Sequence, residues 1–214
     1  MLFENEDFIV FNKPARLLVI PSPTEKNNTL VNIVNKQYTK GENERRLHPC
    51  HRLDKETSGA ILFAKGKANQ KAMMDQFKER EIKKTYEAFI HGQPKRKKAS
   101  ISKAIKSFDQ KKFKKGKAKP ALTNYQVKKT CAEYSVVEAE PVTGRANQIR
   151  IHFSDIGHPL VGDRKYAFAR DYSIKFKRVA LHASRLEFID PKSEEHIIVD
   201  APLAEDMKKF LEKN

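Results

Sequence analysis

The stretch His51-Arg52-Leu53-Asp54-Lys55-Glu56-Thr57-Ser58-Gly59 combines residue types that could do chemistry. It places the carboxylate of Asp54 after a basic pair and before a Thr-Ser-Gly sequence that favours a tight turn. A carboxylate can attack a sugar carbon or protonate a leaving group only if its surroundings control its ionisation. A nearby guanidinium would keep Asp54 ionised, and Arg52 and Arg150 are the candidates. Taken alone, however, these nine residues are better explained by an aspartate that caps a turn.

Other chemistries find less support in the same segment. His48, Cys50, His51 and Asp54 could all bind zinc, but their spacing is cramped and no second Cys or His pair follows at zinc-finger spacing. We therefore expect no metal site. A glycosidase needs two cooperating carboxylates, and nothing marks Glu56 as the second. The chain contains neither a Walker loop nor a dinucleotide-binding glycine motif, so nucleotide hydrolysis and hydride transfer are not indicated.

The bulk composition indicates a globular protein with an anionic partner. A chain of 214 residues with a formal charge of +16 is long enough to bury a substantial core. No apolar run approaches the length needed to cross a bilayer, and the acidic start at Met1–Asp7 is not typical of a secretory signal. The two cysteines, Cys50 and Cys131, lack metal-like spacing and favour a reducing compartment. We therefore expect a cytoplasmic protein without a membrane partner.

Most of the net positive charge lies in residues 95–119. This segment has twelve Lys or Arg and one acid, Asp109, so it supplies 11 of the 16 net positive charges. Phosphate backbones attract such segments through counterion release, although a solvated lysine loop or a membrane anchor would have a similar composition. Only Phe108 and Phe113 are aromatic here, which favours a grip on the phosphate backbone over stacking on bases.

The apolar periodicity predicts a mixture of strands and helices without strict alternation, which favours an α+β fold over a doubly wound sheet. The predicted strands are 8–11, 60–64, 84–91, 123–129, 134–139, 179–186 and 196–199. The predicted helices are 29–38, 67–80, 148–156 and a terminal helix from Pro202. We find no repeat and no clear linker, so we expect one domain over residues 1–214 with 95–119 as an excursion within it.

Seven segments occur in the order typical of one enzyme family. They are Asn12-Lys13-Pro14, the stretch 51–59, Lys84-Thr85-Tyr86-Glu87-Ala88, residues 119–125, residues 144–152, Gly157–Asp163 and Leu181-His182-Ala183. Each segment is weak evidence alone, but together they span about residues 5 to 205. The chain resembles the RluA-type pseudouridine synthases in this order of motifs.

The resemblance implies a largely antiparallel central sheet flanked by helices and loops. It also implies isomerisation of uridine to its C-linked isomer in folded rRNA or tRNA, without cofactor or metal. Asp54 would be the nucleophile, or the base in the glycal version of the mechanism. Tyr86 would stack on the base and act on the C5 proton, and Arg150 would pair with Asp54. Arg52 would fill the gap left by the flipped base, and Leu181 would wall the uracil pocket.

Further RNA contacts are expected from cationic residues in the matched segments and in the lysine run. These residues are His51, Lys13, Arg145, Lys111, Lys112, Lys114 and Lys115. We expect no separate N-terminal RNA-binding domain of the kind that some relatives have, because the first catalytic-type strand begins near Phe8. Nothing requires more than a monomer.

The chain departs from the family pattern at two places. Ala15-Arg16 stands where a glycine usually follows the Lys-Pro pair. The usual Arg-Thr-His-Gln-Ile-Arg reads Arg145-Ala146-Asn147-Gln148-Ile149-Arg150, so one hydroxyl and one imidazole are missing. A non-catalytic RNA-binding or ribosome-assembly factor on the same scaffold would share the basic charge, but would not need Asp54, Tyr86 and Arg150 together.

Overall fold

A computed structural model of the chain describes residues 1–38, 45–109, 114–167 and 174–214, with the backbone alone for 107–109 and 114–116. The described residues form two compact units. Unit 1 comprises Met1–Lys84 and His182–Lys213, and unit 2 comprises Thr85–Leu181 together with Asn214. No described helix combines the length and the apolar character needed to cross a membrane.

Both units are built on strands, with helices packed against them. The strands are β1 (Phe3–Glu4), β2 (Phe8–Lys13), β3 (Leu47–Pro49), β4 (Ser58–Lys65), β5 (Lys83–His91), β6 (Lys98–Ser102), β7 (Ile105–Asp109), β8 (Lys114–Lys119), β9 (Leu122–Thr130), β10 (Tyr134–Pro141), β11 (Leu181–Ile189) and β12 (His196–Asp200). The helices are α1 (Leu30–Tyr38), α2 (Lys67–Glu79), α3 (Gln148–Asp155) and α4 (Glu205–Lys213). This mixture, with mainly antiparallel pairing, confirms the predicted α+β class.

In unit 1, β4 is the central strand and is buried along its whole length. It pairs antiparallel with β2 from Phe8 opposite Ala64 to Lys13 opposite Gly59, and parallel with β11 at two positions. A strand that is buried on both faces has apolar residues at successive positions. The run Ala-Ile-Leu-Phe-Ala therefore predicted β4. The core beneath includes Phe8 and Phe188, whose ring centroids lie 6.1 Å apart.

In unit 2, the strands follow the order β5, β10, β9, β6, all antiparallel. Helix α3 packs against β9 and β10. Ile149 and Phe153 of this helix are buried. The predicted helix 148–156 is one residue too long, because α3 ends at Asp155 and Gly157 adopts a φ of +81°, and Ile156 is exposed.

The lysine-rich segment, the least ordered candidate in the sequence, contains three strands in its described part. Strand β6 pairs with the edge of β9, whereas β7 and β8 pair with each other in a separate two-stranded ribbon. The sequence does not predict these strands because lysines hide the apolar alternation that marks a half-buried strand. The single-domain prediction for residues 1–214 stays a prediction.

Candidate active site

Asp54 lies in a loop of unit 1 between β3 and β4 and is half-buried. The backbone N–H of Thr57 donates to the carbonyl of Asp54 at 3.1 Å, which closes the turn expected after the aspartate. Thr57 is buried, and Ser58 and Gly59 already belong to β4. The carboxylate is therefore carried by a short loop that leads directly into the central strand of its unit.

The Thr-Ser-Gly sequence fixes the start of β4 against β11. Ser58 Oγ lies 2.9 Å from Nδ1 of His182, and Nε2 of His182 lies 3.3 Å from the carbonyl of Ala201. Because the carbonyl can only accept, Nε2 carries the proton and the Ser58 hydroxyl donates to Nδ1. Gly59 has a φ of +112°, and a Cβ there would lie 2.2 Å from the carbonyl oxygen of Ala183. The signature needs glycine at this position because β11 approaches so closely.

Lys13 anchors a loop, a role that its sequence segment did not predict. Its side chain is fully buried, and Nζ donates to the carbonyls of Pro14 at 2.9 Å, Leu17 at 2.8 Å and Lys55 at 3.3 Å. The RNA contact predicted for Lys13 stays a prediction. Because Lys55 follows Asp54, this amine ties the loop that bears the carboxylate to the segment after β2.

Replacing Lys13 with methionine should destabilise the protein, because three backbone carbonyls lose a charged donor. We expect the free energy of unfolding to fall by about 2–4 kcal/mol in urea titrations. Arg52→Ala is the control, since Arg52 is exposed in the same loop and its removal should change stability by less than about 0.5 kcal/mol. Equal losses from both variants would contradict the anchoring role of Lys13.

His51 also has a structural position within unit 1. Its Nε2 accepts a hydrogen bond from the backbone N–H of Leu62 at 3.1 Å, and its ring lies 4.9 Å from the ring of Phe77. Burial and the positive charge of Lys84 lower the pKa of His51 to about 3. The ring is therefore neutral at physiological pH, and the RNA contact predicted for His51 stays a prediction.

The residues considered for zinc are engaged in other ways. Burial raises the pKa of the Cys50 thiol to about 12, which opposes formation of a thiolate ligand. The His51 ring nitrogen that faces β4 is occupied by the backbone of Leu62. Over the described ranges, no group of three or more His, Cys, Asp or Glu side chains is arranged to hold a metal ion.

In unit 2, Tyr86 lies on the face of the sheet that α3 covers. Tyr86 is opposite Ala139, which in turn is opposite Tyr125, so these three side chains share one face. The ring of Tyr125 packs against Phe153 of α3, with centroids 5.3 Å apart. Tyr86 is 9% exposed. The fold of unit 2 thus brings Tyr86 and the helix that carries Arg150 to the same side of the sheet.

The guanidinium of Arg150 is held by a bidentate ion pair within unit 2. Nε donates to Oδ2 of Asp163 at 2.7 Å, and Nη2 donates to Oδ1 at 2.9 Å. Burial alone would raise the pKa of Asp163, but the hydrogen bonds and charge of Arg150, together with the N–H groups of Lys165 and Tyr166, bring that pKa below its usual value. The pairing of Arg150 with Asp54 stays a prediction.

The start of α3 is fixed by Gln148, whose buried amide makes four hydrogen bonds. Oε1 accepts from the Thr143 hydroxyl at 2.7 Å and from the backbone N–H of Arg145 at 3.1 Å. Nε2 donates to the carbonyl of Leu122 at 2.9 Å and to the Thr123 hydroxyl at 3.0 Å. The side chain of Arg145 is half-buried, and its Nε donates to the carbonyl of Pro120 at 3.3 Å. The departures at 146 and 147 therefore leave the amide network of Gln148 intact.

His152 links the same helix to the base of the lysine-rich ribbon. Its ring bridges Thr123 Oγ1, at 2.9 Å from Nδ1, and the carbonyl of Lys103, at 3.1 Å from Nε2. The ammonium of Lys103 forms an ion pair with Asp155 at 2.8 Å. The root of the β7–β8 ribbon is therefore tied to the helix that bears Arg150.

The remaining predicted residues are placed as follows. Arg52 is exposed on the Asp54 loop, whereas Leu181 is 4% exposed and its carbonyl accepts from Nη1 of Arg178 at 3.2 Å. Lys114 and Lys115 lie on β8, opposite Asp109 and Phe108 respectively, whereas Lys111 and Lys112 lie outside the described residues. The roles given to all of these residues stay predictions.

Sequence reasoning missed Asp163 and the loop-anchoring role of Lys13. Both lie inside matched segments, Gly157–Asp163 and Asn12-Lys13-Pro14, so the order of motifs was the only signal. Nothing in the local pattern shows that Asp163 is buried against an arginine thirteen residues earlier.

Comparison with known proteins assigns the chain to a family. A family model described as RNA pseudouridylate synthase matches residues 7–155, which contain Asp54, Tyr86 and Arg150. The chain belongs to the RNA pseudouridylate synthases of the RluA type, which are isomerases.

Individual relatives match over nearly the whole chain. The dual-specificity RNA pseudouridine synthase RluA of Pasteurella multocida is 34% identical, over 94% of this chain and 91% of its own length. YhcT of Bacillus subtilis, described as an uncharacterized RNA pseudouridine synthase, is 33% identical over 98% of this chain and 70% of its own length. The structure titled human RNA pseudouridylate synthase domain containing 4 covers 99% of this chain and 91% of its own, with a TM-score of 0.81 and 26% identity.

Proposed function

We propose that the chain converts specific uridines in structured RNA to pseudouridine, with Asp54 as the nucleophile. The observation that carries the proposal is the family match over residues 7–155 combined with the anchoring of the Asp54 loop. Lys13 holds this loop through the carbonyl of Lys55. Gly59, which has no Cβ, lets the end of the loop pack closely against β11. A pinned carboxylate can be presented to a sugar carbon with little loss of orientation.

The proposed reaction is an isomerisation and needs no added atoms. The carboxylate of Asp54 attacks C1′ of the uridine, and the C1′–N1 bond breaks with its electron pair going to the uracil. The freed uracil turns so that C5 faces the sugar, and a C5–C1′ bond replaces the bond to Asp54. Tyr86 takes part in removing the C5 proton, while N1 gains a proton. In the glycal version, Asp54 acts first as a base at the sugar.

The target uridine has to leave its stack before Asp54 can reach it, which costs a few kcal/mol. Arg52 is exposed on the Asp54 loop and is suited to occupy the gap that the base leaves. Leu181 presents an apolar wall to the uracil. Both roles are part of the proposal.

The proposed substrate is rRNA or tRNA. The ribosomal large subunit pseudouridine synthase C of Buchnera aphidicola is 32% identical to this chain, and the Pasteurella relative is named as a dual-specificity enzyme. Folded RNA offers single-stranded loops whose bases can be splayed out. Both cysteines are free thiols, which fits a reducing compartment, and we place the enzyme in the cytoplasm as a monomer.

The lysine-rich ribbon is the proposed grip on the RNA backbone. Changing four lysines of the segment 95–119 to glutamine should weaken RNA binding and reduce the steepness of log K against log salt by up to about 4, because each lost phosphate contact removes about one unit. The four lysines are Lys111, Lys112, Lys114 and Lys115. Filter binding at several salt concentrations measures both quantities.

The matched control removes the same charge from lysines that are exposed in unit 1. These are Lys71, Lys78, Lys209 and Lys213. The control should leave the salt slope close to that of the unchanged protein. An unchanged salt slope in the four-lysine variant would mean that these lysines are only solvated and do not contact RNA phosphates.

Release of tritium from RNA labelled at uridine C5 tests the function itself, because forming the C5–C1′ bond displaces that hydrogen. We expect release, with pseudouridine recovered in the digested RNA. Binding of RNA without release would instead support a non-catalytic factor, which the basic charge would also permit. Mapping pseudouridine in cellular RNA with and without the gene would then identify the modified site.

A further inference from the structure

We infer that Asp163 and Asn147 are positioning residues that fix the orientation of the Arg150 guanidinium, with the ring of Tyr166 closing one side. The inference rests on the proposed function and on the predicted pairing of Arg150 with the nucleophile Asp54. Asp163, Asn147 and Tyr166 take no part in the bond changes of the reaction and act only through Arg150.

Asp163 is a rigid support because its own oxygens are fixed. Its side chain is fully buried, and Oδ1 accepts from the backbone N–H groups of Lys165 at 2.9 Å and Tyr166 at 3.0 Å. The same carboxylate receives Nε and Nη2 of Arg150 side by side. A planar guanidinium that makes two parallel hydrogen bonds to one carboxylate cannot rotate within its own plane.

Asn147 supplies a second support from the other edge of the guanidinium. Its Oδ1 accepts a hydrogen bond from Nη1 of Arg150 at 2.9 Å. Asn147 stands at the N-cap of α3 with a φ of +55°, a left-handed conformation that asparagine tolerates better than most residues. This is a position where the chain departs from the usual family motif. Asparagine stands here in place of the motif's histidine, and its amide oxygen contacts the arginine.

Tyr166 restricts the guanidinium from a third direction. The Arg150 guanidinium lies 5.0 Å from the centre of the Tyr166 ring, within the range of a cation–π contact. Because the Tyr166 backbone is held by Asp163, the ring and the carboxylate are placed by the same turn. The other two N–H bonds of Arg150, one on Nη1 and one on Nη2, then point in directions that these contacts determine.

Such supports affect the chemical step more than RNA binding. An arginine that keeps a nucleophilic carboxylate ionised and oriented loses much of its effect when its own direction is no longer fixed. A small misplacement of a catalytic group can cost about 100-fold in rate. We therefore expect loss of either support to lower kcat by about 10- to 100-fold and to leave KM for RNA near its original value.

The test uses the full chain with two disruptive variants and one rescue control. Asp163→Asn keeps the shape of the side chain but weakens the paired hydrogen bonds from Arg150. Asn147→Gly keeps the left-handed backbone and removes the oxygen, whereas Asn147→Asp keeps an oxygen acceptor and is the rescue control. Asp163→Asn and Asn147→Gly should lower kcat, and Asn147→Asp should retain most of it. A loss of stability without a change in kcat, or equal rates for Asn147→Gly and Asn147→Asp, would overturn the inference.

A second readout does not depend on activity. The order parameter of the Arg150 Nε–H bond, measured by NMR, should fall in Asp163→Asn and Nη motion should rise in Asn147→Gly. Unchanged side-chain order in both variants would refute the positioning role. A wild-type protein that releases no tritium would refute the proposed function alone, since the NMR measurement would still decide whether Asp163 and Asn147 orient Arg150.

Discussion

Asp54→Asn is expected to reduce tritium release from C5-labelled RNA by about 10⁴-fold or more, the loss typical when a nucleophile is removed from a catalytic set. The amide has nearly the same size and can still accept hydrogen bonds. It cannot carry the negative charge that either attacks C1′ or removes a sugar proton. RNA binding should persist, because the loop keeps its anchors at Lys13 and Gly59.

Two further variants show whether the loss of activity is specific to the Asp54 carboxylate. Asp75→Asn removes the same charge from an exposed position on α2 in the same unit, and its release should match the wild type. Asp54→Ala guards against slow deamidation of asparagine back to aspartate. Equal release from wild type and both Asp54 variants would remove Asp54 from the mechanism.

Gly59→Ala is expected to have the largest effect on stability, more than about 4 kcal/mol in the free energy of unfolding. The added Cβ would lie 2.2 Å from the carbonyl oxygen and 2.6 Å from the amide nitrogen of Ala183. Both are backbone atoms of β11, so no flexible side chain can move aside. Either β11 separates from β4, or the loop that carries Asp54 shifts.

Gly66→Ala is a matched control in the same unit. Gly66 also has a positive φ, +93°, but a Cβ there would meet nothing within 4 Å. Its cost is therefore the backbone strain alone, about 1–3 kcal/mol. Urea unfolding of the two variants separates strain from collision, and equal losses would show that the close approach of β11 does not explain Gly59.

Gly59→Ala should lose more activity than Gly66→Ala, as it should lose more stability. A shifted Asp54 loop would lower tritium release even in the fraction of Gly59→Ala that remains folded. Gly66→Ala lies beyond the far end of β4 and should keep its activity per folded molecule.

Several features of this protein were determined by the sequence alone. The buried strand β4 and the helices α1, α2 and α3 follow from apolar periodicity, which reports which face of a local element meets the core. The order of seven short motifs identified the family, and the charge of residues 95–119 indicated a polyanionic partner. Each of these signals lies within a continuous stretch of chain.

Only the tertiary structure decided how particular polar groups are used. It buried Lys13 against the carbonyl of Lys55, 42 residues later, and it set Asp163 against Arg150. It also paired β7 with β8 in a segment whose lysines obscure any strand pattern. The physical reason is that a charged side chain has no fixed role of its own. Its burial and its partners arise only when distant parts of the chain pack together, and local spacing carries no record of that packing.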